Sequence, residues 1–308
     1  MTIFGGMHQR WVDWLKNDPV QSISTQIYGM MWDDATFRAI NEARSYTTGG
    51  EWSSQNGMLA RFIDSSYVAG QSLALSKLVD RRTDVISLGR LVAELRQHRH
   101  SVTRSDYLAI ADLPYDYEPV AREALERMIR TSKNGVSFSH EPTTGQLAWS
   151  VAQRQHEVFD RLSGCKPSER KPDDCLSDSI VTRLEAWLQI PEIQRIVQVR
   201  HKFVAHAADQ KSRSALLNLP AGITLDDIET AHRALFRVAA AISGIILYDD
   251  SYSTPVPVPQ YDQFAYWDRG LVPPEKVESL HRHWDEHEEQ RSNWTDGLFD
   301  ELVAVIPS

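Results

Sequence analysis

Apolar residues recur along this chain with the spacing of one helix face, and that periodicity limits what the chain can fold into more than any other feature. Leu88, Leu91, Val92 and Leu95 follow Ser87, a residue suited to cap a helix N-terminus. Ala121, Ala124, Leu125, Met128 and Ile129 repeat the pattern after Pro119, and Val151, Val158, Phe159 and Leu162 repeat it again. Ile180, Leu184, Trp187 and Leu188 form a further stripe that stops before Pro191. The longest stripe opens at Thr224, carries Asp226 and Asp227 in its first turn, and runs through Ile228, Ala231, Leu235, Val238, Ile242 and Ile245, which predicts a central core helix. Alternation of the strand kind is confined to residues 135–149, around a Pro/Thr/Gly turn, so at most one small β-hairpin is expected. The expected fold class is all-α, a helical bundle.

A chain of 308 residues buries a substantial core without disulfide staples. The two cysteines, Cys165 and Cys175, lie in one polar stretch and read as reduced thiols, since further zinc ligands at metal spacing are missing there. The prolines of residues 251–261 favour an extended path and divide a body, residues 1–250, from a C-terminal extension, residues 251–308. In the extension an acidic helix is expected from about 273 to 290, with Leu271, Val277, Leu280 and Trp284 as its apolar contacts, folded back on the body or clasping a second subunit. No apolar run approaches a membrane span and the first residues lack a secretory pattern, so the expected location is cytoplasmic.

The net charge of −9 (33 Lys and Arg against 42 Asp and Glu) argues against indiscriminate binding of polyanions. The charge is uneven, however. Residues 81–104 hold six arginines against Asp84 and Glu94, residues 192–213 hold five basic side chains against Glu192 and Asp209, and residues 273–308 hold three basic and nine acidic ones. Of the first group, Arg81, Arg82, Arg96, Arg99 and Arg104 read as a solvated face before they read as a track for RNA.

One helix stripe contains a charge. After Pro191, Ile193, Ile196, Val197, Phe203, Val204 and Ala207 share a face, and Arg200 falls in its middle. A guanidinium there must be paired, reach outward, or line a polar cleft. Pairing with Asp80 or Glu185 is the structural alternative. His206 lies at the edge of the stripe, about 120° round a regular helix from Arg200, and His201 lies on the other flank. A second copy of the chain across a two-fold axis would complete such a site.

The segment Arg200, His201, Lys202, Phe203, Val204, Ala205, His206 resembles the motif of the HEPN superfamily, an arginine, a polar residue and four further positions ending in histidine. The text SYVAGQSLALSKLVDRRTDVISLGRLVAEL and the long helix after Thr224 are similar to the abortive-infection, AbiU-like branch, over roughly residues 20–250. The resemblance implies a HEPN-type bundle with additional helices that dimerises so that two motifs line one cleft. It implies a metal-independent endoribonuclease of a phage-defence or toxin type, with no cofactor and no bound metal. His206 would move the proton of the RNA 2′-hydroxyl, Arg200 would hold phosphate oxygens, and His201 would orient them. Lys202 and Arg195 would hold flanking phosphates. The products would be a 2′,3′-cyclic phosphate and a 5′-hydroxyl. The alternative is a non-catalytic HEPN module that binds RNA, a nucleotide or a partner protein; an antitoxin or regulatory partner fits either reading. Ala208 stands where some branches carry a tyrosine that is modified by a nucleotidyltransferase, which disfavours that control. A competing pattern, His283 to His287 (HWDEH), fits an inverted zinc-protease motif but reads better as a solvated acidic helix.

Overall fold

The computed structural model describes residues 3–46, 57–131, 142–201, 223–249, 252, 255, 259, 261–265, 267 and 274–304. The architecture is an all-α bundle. Its helices are α1 (Ile3–Val12), α2 (Ile23–Ser45), α3 (Gly57–Leu78), α4 (Leu88–His98), α5 (Arg104–Ile110), α6 (Tyr117–Thr131), α7 (Trp149–Ser163), α8 (Asp178–Trp187), α9 (Pro191–Val199), α10 (Leu225–Ala240), α11 (Val277–Ser292) and α12 (Leu298–Val303). Among the described residues the β contacts amount to one isolated bridge, Thr103 with Cys175. Of the segment expected as a hairpin, residues 135–141 lie outside the described residues, and residues 142–149 form bends, a turn and the start of α7 instead of a strand. None of the described helices is long and apolar enough to cross a membrane.

Local chemistry sets the helix starts. Ser87 accepts a hydrogen bond from the Arg90 N–H, and Ser22 one from Thr25. Thr224 forms a full capping box with Asp227, each side chain accepting from the other's backbone N–H. The expected central helix is α10, whose Ile228, Ala231, Leu235, Val238 and Ile242 are all buried. A π-helical turn, Ala241–Ile246, carries it further.

Helix α10 runs beside α2, α8 and α9, while α9 also lies along α3, and α2 packs on α3. Helix α2 owes its position to burial on almost all sides: Ile23, Ile27, Met30, Met31, Asp34, Ala35, Phe37, Ala39 and Ala43 are enclosed. The extension folds back, with α11 lying on α2. There Ala35, Ala39 and Ala43 meet Leu280, Trp284 and Phe264 in a cluster distinct from the main core. The alanines let α11 approach closely, and Leu280, Trp284 and Phe264 each contribute roughly 1.5–3 kcal/mol of burial. Helix α12 places Leu298 and Leu302 in the main core.

In the basic stretch Arg81 and Arg82 are exposed, as a solvated face requires, but Arg96 and Arg104 are not part of such a face. Arg96 spans to Glu185 at 2.8 Å and Asp178 at 3.0 Å, tying α4 to α8. Arg104 is fully buried between Asp160 at 2.9 Å and Asp174 at 3.0 Å. It is an interior ion-pair centre joining α5, α7 and the loop before α8, a role that local charge counting does not reveal.

Candidate functional site

Helix α9 starts at Pro191, whose fixed backbone angle suits the first helical position, and it buries Ile193 and Ile196 against its neighbours. Arg195, expected near flanking phosphates, is turned to α10. Its Nη1 donates to both oxygens of Asp227, at 2.9 and 3.0 Å. The same carboxylate closes the capping box of α10, so Arg195 ties the two helices together.

Arg200 follows directly and keeps helical backbone angles, φ −54° and ψ −49°. Its side chain is half-buried and its Nε is buried with no hydrogen-bond partner. The two carboxylates considered for it are occupied elsewhere: Asp80 accepts from Arg82 at 3.0 Å, and Glu185 accepts from Arg96. His201 is exposed. Lys202 and His206 lie outside the described residues. The structure therefore places Arg200 and His201 at the C-terminal end of α9, while Arg195 lies midway along the helix and is engaged by Asp227. Among the described residues no carboxylate pairs with Arg200, and a guanidinium with a desolvated donor is suited to an anion brought from outside.

The most concentrated polar chemistry among the described residues is elsewhere, around Asp34. This carboxylate, on α2, is fully buried and accepts from Arg38 Nε at 3.0 and 3.2 Å, from the Tyr67 hydroxyl on α3 and from Arg291 on α11. His287 Nε2 stands 3.7 Å away and His232 Nδ1, on α10, 3.9 Å away. Gln71 donates to the Met30 carbonyl, so its oxygen is left to accept from His232 Nε2 at 2.8 Å. That places the proton of neutral His232 on Nε2 and a bare Nδ1 toward Asp34. Arg38 also reaches Glu229 at 3.2 Å.

Burial pushes the Asp34 carboxyl up, but the adjacent His287 ring and the charges of Arg291 and Arg38 outweigh it and hold it well below the usual carboxylate range. Burial pushes His232 down to about 3 against the attraction of Asp34, and lowers His287 as well. The Tyr67 hydroxyl is raised by burial and by the adjacent carboxylate. The centre thus holds ionised Asp34 beside two neutral histidines, clamping α2, α3, α10 and α11. Sequence reading missed it, although a signal was present. On α11 the stripe Leu280, Trp284 continues at helical spacing to His287 and Arg291, so Arg291 stands on an apolar face as Arg200 does.

The pattern His283 to His287 serves this clamp. His287 faces Asp34, whereas His283 faces Glu42 at 3.8 Å, with Trp284 buried between them. Among the described residues no group of His, Cys, Asp and Glu has the arrangement of a metal site. The free cysteines have different partners: Cys165 Sγ donates to the Lys166 carbonyl at 3.3 Å, while Cys175 Sγ contacts His100 Nδ1 at 3.4 Å.

Comparison of the chain with family models, with curated proteins and with solved structures finds no match.

Proposed function

We propose that this chain is a metal-independent endoribonuclease of the HEPN type, with Arg200, His201 and His206 as its chemical groups and a homodimer as its working form. The observation that supports this reading is the state of Arg200, half-buried at the end of α9 with an unpartnered Nε, while Asp80 and Glu185 bind other arginines. Held in that way, a planar and permanently charged guanidinium is ready for phosphate oxygens.

In this reading His206 takes the proton of the RNA 2′-hydroxyl, and the 2′-oxygen attacks the adjacent phosphorus. Arg200 stabilises the extra negative charge of the phosphorane. The P–O5′ bond breaks, and the 5′-oxygen takes a proton from His206 of the second copy, giving a 2′,3′-cyclic phosphate and a 5′-hydroxyl. Exposed His201 orients the phosphate from the opposite flank. DNA, without the 2′-hydroxyl, is spared.

The test is cleavage of RNA by the full chain in excess EDTA, with end-group analysis, for wild type, Arg200→Ala and His206→Ala. Cyclic phosphate ends from wild type and loss of cleavage by at least a hundredfold in each variant are expected. Cleavage that persists in both variants, or that stops with EDTA, overturns the reading.

A further inference from the structure

A cavity of about 270 Å³ lies between α2, α3 and the first turn of α10. Phe37 and Tyr67 make one wall, with rings stacked at 3.7 Å and 3° from parallel. Tyr67 is fixed by its hydroxyl on Asp34, so this wall is rigid. Thr224 and Ile228 face it from α10.

The polar lining comes from Asn41 and Asp64. Arg44 Nη1 donates to Oδ1 of each at 2.7 Å, which sets the two side chains next to one another. The grip leaves the Asn41 amide N–H groups as donors beside the second oxygen of Asp64 as acceptor, and Asp64 is about half exposed.

The place of this cavity in the fold links it to α9. The Thr224 N–H donates to Asp227 Oδ2 at 2.9 Å, and Asp227 holds Arg195. One ion pair therefore separates the cavity wall from α9, whose Arg195 precedes Arg200 by five residues.

We infer that this cavity is a nucleobase pocket that takes a guanine of the RNA strand next to the cleaved phosphate, an inference that rests on the ribonuclease reading. Its volume lies just below the roughly 300–1,000 Å³ of pockets for whole drug-sized ligands, which suits one base. The aromatic wall and the aliphatic α10 face enclose a flat apolar ring system. Guanine is the base that presents two adjacent N–H donors, N1–H and the 2-amino group, with a carbonyl acceptor beside them. The second Asp64 oxygen, with its two lone pairs, takes both donors in charge-assisted bonds while the Asn41 amide donates to O6. Adenine, cytosine and uracil each offer a single N–H position between or beside acceptors and leave the carboxylate partly unmatched.

The test is equilibrium binding of the four nucleoside 3′-monophosphates to the full chain and to Asp64→Asn, Asn41→Leu and Arg200→Ala. Guanosine 3′-monophosphate is expected to bind roughly tenfold or more tighter than the other three. Asp64→Asn and Asn41→Leu should remove that preference with the circular dichroism unchanged, and Arg200→Ala should weaken all four alike through the shared phosphate. Four equal affinities, no binding of any nucleotide, or a guanine preference that survives Asp64→Asn overturns the pocket. The two readings separate cleanly. RNA cleavage without guanine preference removes the pocket alone, whereas guanine preference without cleavage keeps the pocket and removes the ribonuclease.

Discussion

Replacing one member of the Asp34 centre at a time tests whether buried charge or packing holds α11 in place. Asp34→Asn keeps the shape but leaves Arg291, which is fully buried, and Arg38 facing a neutral amide. Breaking a buried pair in this way costs about 3–5 kcal/mol. Arg291→Met removes the same ion pair from the other side, with a different balance. Arg291 Nε and Nη1 are themselves buried without hydrogen-bond partners, so their loss relieves a standing penalty of about 1–3 kcal/mol. Asp34 meanwhile retains Arg38 and Tyr67, and a methionine can pack on the Trp294 ring that now stacks 4.9 Å from the guanidinium carbon. The difference leaves Arg291→Met at about 2 kcal/mol destabilising. The assay is urea unfolding followed by far-ultraviolet circular dichroism, compared by midpoint at a common slope. The expected order is wild type, then Arg291→Met, then Asp34→Asn. An Arg291→Met protein as unstable as Asp34→Asn, or more so, would refute the reasoning, because it would mean that the arginine is held by more than its contact with Asp34.

Stability should fall on acidification in two stages. His232 and His287 are lowered from their ordinary value of 6.5, so the unfolded chain binds protons first and their contribution is lost as pH drops from about 6.5 toward their folded values. The contribution of Asp34, lowered from 3.8, is intact above that value and lost as pH falls through its folded pKa. Unfolding midpoints measured from pH 7.5 to 4 should slope for wild type and flatten for His232→Gln; equal slopes would remove His232 from the explanation. Gly89→Ala should be destabilising by several kcal/mol, since a Cβ there would lie 2.3 Å from the Val79 carbonyl oxygen and 2.6 Å from that of Asp80. Gly70→Ala, with nothing within 4 Å of the new atom, should gain up to about 1 kcal/mol from helix propensity. Thermal melts of the two alanine variants check the pair, and a tolerated Gly89→Ala would contradict the close packing of α4 on the end of α3.

The sequence is most legible where one helix face is apolar and the other polar. Ser87, Thr224 and Pro191 stand where the structure begins α4, α10 and α9, and the stripe after Thr224 is the core face of α10. Helix α2 is harder to read because burial on nearly all sides erases the contrast between faces. The Asp34 centre escapes notice for a different reason. Asp34 and Arg38 look like an ordinary surface pair at i and i+4, and nothing local says that Arg291, 257 positions away, closes over them. Arg104 is the same kind of case, since its carboxylates come from residues 160 and 174. Arg200 was legible as an anomaly on its stripe, and the structure adds that Asp80 and Glu185 do not neutralise it. The predicted histidine at 206 and lysine at 202 lie outside the described residues.

The distance along the chain between Asp34 and Arg291 also sets an order of events during synthesis. At about 5–20 residues per second, roughly 13–50 s pass between the emergence of the carboxylate and of the arginine that covers it. Through that interval Arg38 and Tyr67 can already be in place, but α2 still exposes its alanine face and an incompletely compensated acid. A nascent chain therefore carries α9 well before α11 covers α2. A ribosome that stalls late would hold a species with Arg200 formed and α2 uncovered, the form most open to chaperones and proteases.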